Sequence, residues 1–289
     1  MPIRMAEKEV KTFQEIAKEI FKNSGNNLHY RVVNYLRDEG WEVDVSPFYN
    51  DNFSQKPREI DLVATKVYPP ALNSIRESAV IVRLFIECKY IASTTVFWLD
   101  SRDKKQAEEV IRSTRSFHDP SQNILVEQEH HYLSTQKIAK LFESNSKKEA
   151  EGEPMFKAIT QSINSFIYFR DRSSDLLNEV NKKYNSTVVL NYPVIICDSF
   201  DKFFGKLVSS SSEVAQIDNP FQIEVRYAYQ VKDFSQDETF YIDVLPEQKL
   251  REFISAYLSG DIQLASQKAS DDRINKSRSE QVRFDNPAI

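Results

Sequence analysis

Ala79-Val80-Ile81-Val82-Arg83-Leu84-Phe85-Ile86 is an apolar run that passes directly into Glu87-Cys88-Lys89. Burying an unpaired carboxylate or ammonium is costly, so charges placed where an apolar strand ends are paired, metal-bound or functional. Side chains two apart on a strand share a face, which points Glu87 and Lys89 together and Cys88 away. Upstream, Pro57-Arg58-Glu59-Ile60-Asp61-Leu62-Val63-Ala64 sets Asp61 at the end of a comparable strand segment. The two acids are 26 residues apart, room for one hairpin-like connection.

The spacing Glu-x-Lys alone says little, because it occurs at Glu9-Val10-Lys11, Glu87-Cys88-Lys89 and Glu247-Gln248-Lys249. The first lies in an amphipathic helical pattern. The last follows Pro246 at a helix start, where both charges are ordinary solvated groups. Only Glu87 and Lys89 close an apolar strand with a strand-borne aspartate upstream.

Working outward, Glu9 to Phe21 and Leu28 to Glu39 carry apolar residues at helical spacing, separated by Asn23-Ser24-Gly25-Asn26-Asn27. The second pattern ends at Gly40, the residue type best suited to a left-handed helix exit. Trp41 to Phe48 alternates with period two and predicts a half-buried strand. Asn50 to Lys56 is a polar turn, and Arg58 to Tyr68 and Val80 to Ile91 supply two more strands. From Thr94 to Pro154 the pattern is mixed and predicts an insertion, with helices at Lys104 to Phe117 and Tyr132 to Ser144 and a charged loop at Lys147 to Glu153. Phe156 to Asn181 is the longest helical pattern, interrupted near Arg170-Asp171-Arg172. Thr187 to Cys197 is an apolar strand. Gln222 to Val231 and Thr239 to Leu245 read as an antiparallel pair, and Pro246 suits the first turn of a helix reaching Leu258. The reading is therefore an α/β fold: a single domain over 1–259, with its core at about 26–200, an insertion at about 94–154, and a C-terminal hairpin and helix at 221–259. Residues 260–289 lack a packing pattern and read as a flexible polar tail.

The chain has 289 residues, 40% of them hydrophobic, enough for a substantial core. A net charge of −5 gives no general attraction to phosphate, so any grip on nucleic acid must come from a local basic surface. The two cysteines, Cys88 and Cys197, fall in interior-looking strands and indicate neither a disulfide scaffold nor a thiolate zinc site. No stretch approaches the ~20 apolar residues of a membrane span, and Met1 to Asn23 lacks an apolar signal core, so a cytoplasmic location is expected.

Magnesium is a hard ion that takes oxygen ligands and keeps several waters. Asp61 and Glu87 would supply two such oxygens and the backbone carbonyl of Cys88 a third. Lys89 beside them would position the attacking water and offset charge developing on a phosphate, and phosphodiester hydrolysis is the reaction these groups suit.

With these residues in view, the chain resembles the PD-(D/E)xK nuclease superfamily, the restriction-endonuclease-like fold. That family's pattern is helix, three strands, helix, strand, with an acid ending the second strand and acid-x-Lys on the third. The matching segments are Leu28 to Glu39, Trp41 to Phe48, Arg58 to Tyr68, Val80 to Ile91, Phe156 to Phe169 and Thr187 to Cys197. The resemblance implies a mixed central sheet, Asp61 and Glu87 as ligands of Mg2+ or Mn2+, and Lys89 as the catalytic lysine. It also implies nucleic acid as partner, DNA before RNA, a role in restriction, repair or anti-phage defence, no membrane, and a homodimer.

One departure stands out. Many relatives carry a glutamate on the first core helix, and the corresponding place falls near His29, a poor magnesium ligand that equally suits a helix start. Glu15 and Glu19 on the preceding helix are alternative donors. Gln161 could support the site from the later helix or be a polar residue on its outer face, and Lys56 and Arg58 could contact phosphates or be solvated turn charges. His130-His131 has only Glu127 and Glu129 near it at zinc-ligand spacing, so no metal site is expected there. Tyr227, Tyr229, Phe240 and Tyr241 suit strand packing better than base stacking. The departure keeps open a rival reading, a nuclease fold that binds nucleic acid or a protein partner without cutting.

Overall fold

A mixed eleven-stranded sheet carries helices on both faces. The computed structural model describes residues 12–23, 25–52, 54–70, 78–117, 130–145, 153–170, 172, 174–184, 186–208, 213–231 and 234–266. Within them no helix is long and apolar enough to cross a membrane. The Lys147–Glu153 loop, apart from Glu153, and positions 267–289 of the polar tail lie outside the described residues.

Helix α1 (Phe13–Asn23) is followed by α2 (Gly25–Asp38), and Gly40 leaves α2 at φ +78°, the left-handed conformation its missing Cβ permits. The strand expected over Trp41 to Phe48 is broken into β1 (Glu42–Val45) and β2 (Phe48–Asn50) by Ser46 at φ +54°. The partner segment breaks at the matching point, into β3 (Pro57–Glu59) and β4 (Leu62–Tyr68). Two backbone bonds tie the bends together, Ser46 N to Asp61 O at 2.9 Å and Ile60 N to Pro47 O at 3.2 Å. The hairpin β2–β3 thus leaves the main sheet as a separate ribbon. Asp61 sits at the bend, just ahead of β4, rather than at a strand's end.

Strand β5 (Ser78–Lys89) pairs antiparallel with β4 and parallel with β9 (Ser186–Cys197) over its full length. Both are covered on two faces, which is why they read as near-continuous apolar runs. Alternate residues feed two cores. Val80, Val82, Leu84, Ile86 and Cys88 meet Leu28, Val32 and Leu36 of α2 on one face. Phe85, with Ile195 and Cys197, meets Ile159, Ile163 and Phe166 of α5 (Glu153–Arg170) on the other. The next helix, α6 (Ser174–Asn181), packs Leu177 on Ile81 and Val189. Both cysteines are buried and free.

The insertion is less helical than its composition suggests. It contributes β6 (Thr95–Ser101), α3 (Lys104–Ser113), β7 (Arg115–Phe117), the four-residue α4 (His131–Ser134) and β8 (Lys137–Ser144). The helix expected over Tyr132 to Ser144 is mostly strand. Ile138 and Ala139 are buried in opposite cores while Lys140 and Leu141 are exposed, a two-sided pattern that mimics helical spacing over so short a window. Beyond β9 come β10 (Phe203–Leu207), β11 (Ala215–Gln216) and the hairpin β12 (Phe221–Val231) with β13 (Phe234–Pro246). The order across the sheet is β1-β4-β5-β9-β13-β12-β8-β6-β10-β11, with β7 beside the first half of β9. The final helix, α7, opens at Glu247 as a 3-10 turn, carries a π segment at Phe253–Leu258, and continues through 259–266. Its last turns correct the expected tail. Asp261 is 1% exposed, and Leu264 and Ala265 are buried.

Candidate active site

The register Leu62↔Ile86 places Asp61 opposite Glu87, and in an antiparallel pair opposed side chains share a face. Asp61, Glu87 and Lys89 all project to the α5 side, as the neighbouring core residues Val63 and Phe85 do. Lys89 Nζ donates to Glu87 Oε2 at 2.6 Å and stands 3.9 Å from Asp61 Oδ2. Asp61 Oδ2 also accepts the backbone N–H of Cys88 at 2.7 Å, so its orientation is fixed from the same strand end. The three expected catalytic groups are therefore brought together, and Cys88 contributes backbone to the same point while its side chain packs on the opposite face.

Electrostatically Glu87 is the unusual member. Its residue is 0% exposed, and its Oε1 is buried without a hydrogen-bond partner. Burial, with the Asp61 charge adding to it, pushes its carboxyl up to about 7 despite Lys89. Burial pulls on Lys89 in the opposite sense, but Glu87 and Asp61 outweigh it and raise the ammonium above its ordinary value. An acceptor oxygen with no donor, held beside a second carboxylate, is a site that wants a cation or a proton.

The surroundings add Asp198 and Tyr49, which the sequence did not single out, and Gln161, which it did. Asp198, directly after β9, accepts the N–H of Ile91 at 3.0 Å and donates its own N–H to Lys89 O at 3.2 Å, which ties the ends of β5 and β9 together. It too is a charge closing an apolar strand, the signal that marked Glu87. Tyr49 of the β2–β3 ribbon is 2% exposed and lies close enough to Glu87 for that charge to help raise its phenol, after burial. Gln161 is not idle on an outer face: its Nε2 donates to Glu59 O at 2.9 Å, two residues ahead of Asp61, and its Oε1 is buried without a partner.

Other candidates are not brought in. Among the described residues no third imidazole, thiol or carboxylate completes a group of three around Asp61 and Glu87. His29 on α2 holds its Nε2 buried without a hydrogen bond, in no contact with the pair that the structure records. Glu15 is spent on a capping box with Thr12 on α1, and both Glu15 and Glu19 are exposed. Lys56 and Arg58 are exposed on the ribbon beside the bend. Tyr229, Phe240 and Tyr241 are buried packing residues.

A second polar cluster lies elsewhere. His130, His131 and Asp261 place ligand atoms within 4.8 Å of one another, all buried. The lone pairs there are already committed. His130 Nδ1 accepts the N–H of Tyr132 at 3.1 Å, which leaves the ring proton on Nε2, 3.1 Å from Asp261 Oδ2. His131 bridges two acids, Nδ1 to Asp261 at 2.5 Å and Nε2 to Asp243 at 3.1 Å. Tyr192 OH donates to Asp261 at 2.8 Å and Gln222 to Asp243 at 2.9 Å. Burial would strip His131 of its proton, but the two carboxylates raise it to about 10. The arrangement is an imidazolium clasp joining α4, β13, β9 and α7. The sequence concealed it because Asp261 is 130 residues from His131.

No protein-family model matches the chain, and neither the curated proteins nor the solved structures compared with it include a match.

Proposed function

We propose that the chain is a metal-dependent nuclease of the PD-(D/E)xK type that hydrolyses phosphodiester bonds in DNA. The observation that carries the reading is the convergence of Asp61, Glu87 and Lys89 at one bend, with a buried Glu87 oxygen that has no partner. The order α2, β1, β4, β5, α5, β9 supports it, because the sheet pairs these strands antiparallel, antiparallel and then parallel across the site. The donor set fits a hard cation such as Mg2+ or Mn2+: two carboxylates and strand-end backbone, with no imidazole or thiol joining them among the described residues.

A bound divalent ion would supply Lewis acidity and a more acidic water. The chain's own residues do the rest. Glu87 and Asp61 present oxygens from one face. Lys89, held to Glu87, carries a positive charge that opposes the negative charge developing on the phosphoryl oxygens. The Cys88 N–H keeps Asp61 turned inward, and Asp198 keeps the backbone beyond Lys89 in place. Lys56 and Arg58, exposed beside the bend, would offer their positive charges to the sugar-phosphate backbone.

One observation favours a rival, a nuclease fold that binds nucleic acid or a protein partner without cutting: among the described residues, Asp61 and Glu87 gain no third acidic or imidazole ligand. Incubating the purified chain with plasmid, single-stranded DNA and RNA in Mg2+ or Mn2+, beside Glu87→Ala and Lys89→Ala, separates the readings. Cutting of DNA that both variants lose supports the enzyme. Cutting of RNA alone changes the substrate. Retained binding with no cutting favours the rival, and equal cutting by wild type and variants places the activity elsewhere.

A further inference from the structure

Helix α1 is strongly amphipathic, yet its residues 13–21 are all exposed. Phe13 is 93% exposed, Phe21 67%, Ile20 64% and Ile16 40%. At 100° per residue these four and Ala17 fall on one arc of the helix, a continuous apolar stripe of the width that normally faces a core. An 11-residue helix is marginal alone in water, so a stripe left bare on so short a helix calls for a cover.

We infer that α1 pairs antiparallel with α1 of a second copy of this chain. Three features favour that occupant. The polar face carries Glu15, Lys18 and Glu19, two acids and one base, so it offers no net attraction to an anionic membrane surface. The stripe is self-complementary about the Lys18–Glu19 peptide: a two-fold axis there sets Ile16 opposite Phe21 and small Ala17 opposite Ile20, as an isologous interface requires. Gln14, which flanks it, is uncharged, so no like charges meet at that edge of the contact. The area is also of the right order. With about 200 Å² for a whole aromatic side chain, the exposed stripe amounts to roughly 500 Å² per copy, near the upper limit a monomer leaves bare. Two copies would bury about 1,000 Å², the low end for a specific interface, so the dimer is a weak one. The pairing depends only on α1 and stands whether or not Asp61, Glu87 and Lys89 cut nucleic acid.

Sedimentation equilibrium of the full chain from about 1 to 100 μM tests it. The average mass is expected to rise from monomer towards dimer over that range, and Phe13→Glu/Ile20→Glu is expected to stay monomeric with an unchanged circular dichroism spectrum. Oxidation adds the orientation, because both native cysteines are buried and do not compete: Ala17→Cys, near the axis, should cross-link into a dimer and Phe13→Cys should not. A wild type that remains monomeric at 100 μM, a double variant that associates like wild type, or cross-linking at both positions would each overturn the antiparallel pairing. So would flotation of a monomeric chain with anionic phospholipid vesicles, lost in the double variant.

Discussion

Lys89 Nζ lies 2.6 Å from Glu87 Oε2, two residues back along the same face of β5, and the carboxylate it holds is fully buried. Removing the lysine should therefore cost more than removing the acid. At pH 9, above the value of about 7 at which Glu87 titrates in the fold, Lys89→Ala leaves a buried carboxylate without its cation and is expected to destabilise the fold by about 3 kcal/mol. Glu87→Gln removes the charge at similar volume and should be neutral or stabilising while abolishing cleavage. Urea unfolding of both variants checks the order. A Lys89→Ala chain as stable as Glu87→Gln would mean that Glu87 is solvated or protonated in the native state.

Metal binding gives a second expectation. Mg2+ or Mn2+ at saturating concentration should raise the melting temperature of the wild type, and the rise should disappear in Asp61→Asn and Glu87→Gln. Stabilisation at 100 times the dissociation constant amounts to about 2.7 kcal/mol, well within the range of a thermal melt. An equal rise in wild type and both variants would place the ion elsewhere.

The clasp predicts a pH dependence. His131 titrates near 6.5 in an unfolded chain and about 10 in the fold, so the folded state holds the extra proton between those values. Its contribution is complete below about pH 6.5 and is lost progressively as pH rises towards 10. Unfolding free energy measured from pH 6 to 10 should fall, and His131→Asn should flatten that slope and cost several kcal/mol at pH 7. A slope that is the same in the variant would remove the imidazolium from the account.

What was legible in the sequence follows from range. Ala79 to Ile86 and Thr187 to Cys197 announce buried parallel strands because burial on both faces leaves an apolar run, and Gly40 announces a helix exit because the conformation there is local. The convergence of Glu87 and Lys89 followed from the two-residue period alone. The bend at Asp61 did not, because it depends on Ser46 reaching across from another strand to donate its N–H to Asp61 O. Ile138 and Ala139 misled for a related reason: a strand buried by different layers on its two sides loses the alternation that identifies it. Asp261 was read as tail because nothing near it in sequence shows the histidine that buries it.

Gln161 offers the sharpest separation of support from packing. Its amide donates to Glu59 O beside the bend, and its Oε1 is buried with no donor in reach. Gln161→Ala removes one neutral hydrogen bond and one unsatisfied oxygen, so the net stability change should stay within about 1 kcal/mol. If the amide holds the segment carrying Asp61, cleavage should fall by about tenfold or more, since small displacements of a reacting group are costly. Single-turnover cleavage beside urea unfolding of the same preparation decides it. Unchanged cleavage would make Gln161 a strut of the ribbon, and a stability loss that matches the loss of activity would make it part of the core.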